Sequence, residues 1–198
     1  MNPYAGLRQD IVKLHAVLKR DRRAKINKFV IGAPATDQDV APLVEDEDGD
    51  AIHSALVELA RVFNGVNLHF TWKGEAAKVE GHIVIPTLAE MHDSRQDGVV
   101  EFEVTSWRVV SKTTFGSAYL LASGVHVFNL DCYIKAESLD LGSVLQCMVS
   151  HLGLPGWELS LFDNQFDDDE QEQHLAVCQS TAREIRMASK LEIPPELK

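Results

Sequence analysis

The side chains that could carry chemistry are scattered through the chain. Eight histidines, His15, His53, His69, His82, His92, His126, His151 and His174, form neither an H-E-x-x-H motif nor a compact ligand set. Glu90 and His92 lie two apart, so on a helix they face different ways, and on a strand two ligands do not fill a tetrahedral site. Asp46, Asp48 and Asp50 around Gly49 suggest a calcium loop, which alternates oxygen ligands beside a glycine. The register fails: with Gly49 sixth, the first position is Val44 and the twelfth Ala55, so an obligatory oxygen and the bidentate glutamate are missing. Nucleophile and phosphate motifs are absent too, with no G-x-S-x-G, Walker or G-x-G-x-x-G sequence. Cys132, Cys147 and Cys178 have no C-x-x-C spacing and read as reduced thiols. Paired carboxylates remain open, since one sequence does not reveal their distances. The expectation is a chain with no catalytic residue, metal or cofactor, acting by binding.

For binding, charge and aromatic residues are the candidates. Glu45, Asp46, Glu47, Asp48 and Asp50 read as a solvated acidic loop, with Glu75 and Glu80 in the loop between the first two expected strands. Asp167, Asp168, Asp169 and Glu170 form a like-charge block whose repulsion favours exposure. Trp72 and Trp157 are candidate interface anchors. Trp72 shares its strand face with three other apolar side chains, which favours burial, whereas Trp157, in a Gly-Pro-rich turn, reads as freer.

The elements that must position these residues follow from periodicity. Leu7, Ile11, Leu14 and Leu18 mark a first helix, and the basic run Lys19 to Lys28 reads as its solvated end. Thr36 suits an N-cap, and Pro42 makes the following helix short or kinked. Ile52, Leu56, Leu59 and Phe63 mark a third helix, closed by Asn64-Gly65. Val66, Leu68, Phe70 and Trp72 then alternate as a half-buried strand. Further strands are expected at Gly81 to Pro86, Val99 to Val110 and Val125 to Ile134. A helix follows on Leu141, Val144, Leu145, Met148 and Leu152, and a last one spans about Glu170 to Ser189. Helices flanking a mainly antiparallel sheet of four or more strands indicate a single α+β domain over residues 1–198.

Composition narrows the partners. Net charge is −11, but residues 1–28 hold eight basic and two acidic side chains while the remainder holds eleven basic and 28 acidic. That acidic body disfavours nucleic acid and anionic lipid and suits a basic partner. With no stretch read as a signal or membrane span, a cytoplasmic location is expected.

Several segments taken in order resemble the SUKH superfamily, of Smi/Knr type: Ile31-Gly32-Ala33-Pro34-Ala35-Thr36, Phe63-Asn64-Gly65-Val66 through Trp72, Gly81-His82-Ile83-Val84-Ile85, and Leu152-Gly153-Leu154-Pro155-Gly156-Trp157. The likeness covers roughly residues 25–162 and departs at Glu45 to Asp50 and at Pro42. It implies an α+β fold and, among bacterial members, an immunity protein that binds and neutralises a cognate toxin, often a nuclease. The alternative within the family is a regulatory or scaffolding module.

Overall fold

The computed structural model describes residues 4–44, 51–74, 78–93, 100–107, 112–121, 124–128, 134–161 and 169–197. Helix α1 (Ala5–Leu18) buries Leu7, Ile11, Leu14 and Leu18 on one face, as their spacing dictates. The chain then turns into strand β1 (Ala24–Ile31), so Lys25 and Lys28 stand on a strand rather than at a helix end. Apolar Ile26 and Phe29 are three apart because a bulge interrupts the register between Ile26 and Lys28, and this masks the strand period.

Helix α2 (Asp37–Val44) is short and opens on a reciprocal cap: Thr36 N–H and Oγ1–H both donate to Asp39 Oδ2, at 2.7 and 2.8 Å. Helix α3 (Ala51–Ala60) follows, then the hairpin of β2 (Val66–Lys73) and β3 (Lys78–Ile85), then α4 (Leu88–Asp93). Strands β4 (Val100–Trp107), β5 (Lys112–Leu121), β6 (Gly124–Phe128) and β7 (Ile134–Leu139) lead to helix α5 (Leu141–Ser150). A 3-10 turn at Trp157–Leu161, helix α6 (Asp169–Ala188) and a second 3-10 turn at Pro195–Leu197 complete the described chain. The fold is α+β. Among the described residues its strands form an antiparallel sheet ordered β1-β2-β3 and another ordered β4-β5-β6-β7.

Strand β2 is the centre of the first sheet, and its alternation is complete. Val66, Leu68, Phe70 and Trp72 are at most 4% exposed. By register they share their face with Ala24, Ile26, Phe29 and Ile31 of β1 and with Val79, Gly81, Ile83 and Ile85 of β3. Full burial of each large apolar side chain contributes roughly 1.5–3 kcal/mol.

Two close backbone approaches fix the surroundings of β2. Gly32 N–H donates to the Gly65 carbonyl at 2.9 Å and Asn64 N–H to the Ala33 carbonyl at 3.1 Å, so a Cβ on Gly32 would collide with the Asn64 carbonyl. Asn64 Oδ1 accepts from Leu88 N–H at 2.7 Å, fastening the start of α4 to the same knot. On the far side, His82 N–H donates to the Gly153 carbonyl at 2.8 Å. A Cβ on Gly81 would enter the Phe70 ring and approach the Leu152 carbonyl to 2.7 Å.

Arg186 ties the C-terminal part to α5. Arg186 of α6 donates from Nε to Ser150 O at 2.9 Å, from Nη2 to Val149 O at 3.1 Å and from Nη1 to Glu192 O at 2.8 Å. A cation thereby meets carbonyls at the negative end of α5. Cys178, Ala182 and Ile185 turn the buried face of α6 to the core.

Candidate functional site

A cleft of about 520 Å³ lined by several polar side chains lies between α1, α5 and the first 3-10 turn. Asp140 shapes its rim as the N-cap of α5, accepting from Ser143 N–H at 2.8 Å and Ser143 Oγ–H at 3.0 Å. Tyr4 is buried beneath it, and burial, with Asp140 and Glu58 adding negative charge, pushes its phenol up to about 12.

Deeper in the cleft stand Cys147 and His151, one helical turn apart, with Ser160 delivered by the 3-10 turn. His151 Nδ1 lies 2.9 Å from the Cys147 carbonyl, which can only accept, so Nδ1 carries the hydrogen. The same nitrogen is 3.7 Å from Cys147 Sγ. Ser160 donates its single hydroxyl hydrogen to the Trp157 carbonyl. Cys147 Sγ lies 2.9 Å from Ser160 Oγ and 4.0 Å from the Trp157 carbonyl oxygen. Cys178, fully inside, is raised well above an ordinary thiol by burial, then by Glu158 and Cys147. The cleft offers hydrogen-bonding side chains to a bound group.

The candidates named from sequence fare unevenly. Glu45, Asp46, Glu47, Asp48, Asp50, Glu75, Asp167 and Asp168 lie outside the described residues. Asp169 is exposed at the start of α6, and Glu170 follows it on that helix. Glu80 is on β3 rather than in the preceding loop, because the hairpin ladder extends to the Lys73–Lys78 pair. Its carboxylate lies 3.5 Å from Lys78 Nζ and 3.6 Å from His69 Nε2. Trp72 is fully buried, with the Arg23 guanidinium 4.5 Å above its ring. Trp157 is only 6% exposed: the positive φ values of Leu152, Gly153 and Gly156 fold the turn inward and carry the ring into the core. Neither tryptophan is available as an interface anchor.

Glu90, weighed above as a metal ligand, instead caps α4. It accepts from Thr87 N–H at 2.7 Å and Thr87 Oγ1–H at 2.8 Å, and these bonds hold its carboxyl below the usual range. Among the described residues no group of three or more His, Cys, Asp or Glu could hold a metal ion, and no helix is long and apolar enough to cross a membrane. The thiol cleft was missed in the sequence. Its one signal was the four-residue spacing of Cys147 and His151 on a helix already expected.

Compared with family models, curated proteins and solved structures, the chain matches none.

Proposed function

We propose that this chain is a SUKH-like immunity protein: a non-catalytic, cytoplasmic binder that neutralises a cognate toxin, in particular a nuclease or other effector with a basic surface. One observation carries the reading. The segments on which the resemblance rests, far apart in sequence, pack into one unit around β2: Gly32 against Asn64, Gly81 against Phe70 and Leu152, and Gly153 against His82. Residues that merely matched a common pattern would have no reason to need one another's lack of a side chain. A SUKH-like sheet of four or more strands belongs to the same proposal.

Recognition on this reading is electrostatic. With Trp72 and Trp157 buried, the remaining candidates are carboxylates, and an acidic inhibitor can screen the cationic surface with which a nuclease holds its substrate. The toxin domain encoded beside this chain should be lethal alone and harmless when both are expressed. Reversing Glu45, Asp46 and Glu47 to Lys should weaken the complex in a salt-dependent way. Protection that survives reversal of both the Glu45–Asp50 and Asp167–Glu170 groups would refute the mechanism.

A further inference from the structure

Opposite in sign to the acidic body, one end of the first sheet gathers cations from separate parts of the chain. Lys73 N–H donates to the Arg23 carbonyl at 3.0 Å, joining the turn after α1 to the hairpin of β2 and β3. The turn presents Lys19, Arg20 and Arg22, all exposed. Exposed Lys25 and Lys28 of β1 are in register with Thr71 and His69, on the sheet face away from Trp72. At the hairpin end Lys73 lies directly opposite Lys78, both exposed. Like charges facing each other across a ladder are destabilising. The carboxylates described within this group are engaged: Asp21 by Arg23 Nη2 at 3.0 Å, and Glu80 by Lys78 and His69.

The same face is not purely ionic. Val30, Asn67 and Val84 form one cross-strand row, in which the valines are 55% and 42% exposed. We propose that this face and the adjoining turn dock an extended acidic segment of a partner protein, with carboxylates on Lys25, Lys28 and Lys73 and apolar side chains on Val30 and Val84.

A nucleic acid fits less well. Exposed valines offer nothing to a phosphate backbone, and the large rings of the sheet are withdrawn: Phe70 and Trp72 are buried and Phe29 is stacked on His15 at 3.7 Å. Beyond the patch the rest of the chain is strongly acidic and repels a long polyanion. A second copy carries the same net charge of −11 and is repelled overall. The inference does not rest on the toxin reading, in which acidic groups of this chain meet a basic partner.

The test uses the full chain and fluorescence anisotropy with three labelled probes of equal charge: a short peptide alternating Glu and Leu, an all-Glu peptide and a single-stranded oligonucleotide. The alternating peptide should bind most tightly, more weakly as salt rises. Reversing Lys25 and Lys28 together to Glu should reduce that affinity on the order of tenfold. Val30→Ser with Val84→Ser should reduce it roughly threefold while leaving the all-Glu peptide unaffected. Tighter binding of the oligonucleotide, no measurable peptide binding, indifference to charge reversal, or a dimer abolished by the same reversal would each overturn the proposal. All four substituted side chains are exposed, so loss of folding does not mimic the expected result.

Discussion

On one face of the β1-β2-β3 sheet, Leu68, Phe70 and Trp72 are 0% exposed and a neighbouring glycine leaves no room for a methyl group; on the other, Val30 and Val84 stand in solvent beside lysines and histidines. Both faces come from the same three strands, residue by alternate residue. On the buried face, the volume a side chain fills sets its worth, because interiors are packed near crystal density. On the open face, charge and reach decide, and a change of residue alters what can approach rather than whether the sheet forms.

That contrast can be broken hardest at Trp72. Trp72→Ala should cost about 3–5 kcal/mol, read as a lower urea midpoint, since it empties a fully buried site and removes the ring beneath Arg23. Gly81→Ala comes next, at about 1–3 kcal/mol, because the added methyl must displace Phe70 or the Leu152 carbonyl.

Tyr4 gives a comparable effect through pH. Its phenol is raised from 10.0 to about 12, so the folded state keeps a proton that the unfolded state releases. The associated stability is intact below pH 10 and falls as pH rises from 10 to 12, by on the order of 2 kcal/mol. Urea unfolding across that range should show the decline, and Tyr4→Phe should flatten this contribution. Asp140→Ala should cost about 1 kcal/mol through the lost cap of α5, seen as a small drop in Tm. At the bottom of the scale, Val84→Ser on the open face should change stability by less than about 0.5 kcal/mol. A loss as large as that of Trp72→Ala would mean that the two faces do not differ as described.

Legibility from sequence follows the same division. Strand β2 and helix α1 were plain because an apolar residue at every second position, or every third and fourth, has one physical interpretation. Strand β1 was hidden by its lysines and bulge, both expected on the exposed edge of a sheet. Strand β5 was hidden because Thr113, Thr114, Gly116 and Ser117 carry no apolar alternation. Burial of Trp157 depended on backbone dihedrals at Leu152, Gly153 and Gly156, and local composition suggested only a turn. The cleft around Cys147 needed Ser160 brought back by that turn, a juxtaposition that spacing along the chain does not reveal. The cationic end is half visible in the sequence: the run Lys19 to Lys28 is contiguous, but Lys73 and Lys78 join it only through the hairpin.

The Arg186 clamp has a consequence for how the molecule comes apart. One guanidinium bonds two carbonyls of α5 and one of the segment after α6, so peeling away the final helix means breaking two bonds together, at Val149 and Ser150 beside the core. Amides of α6 around Cys178 to Ile185 should then exchange with solvent about as slowly as those of α5, and the C-terminal third should melt with the body instead of fraying ahead of it.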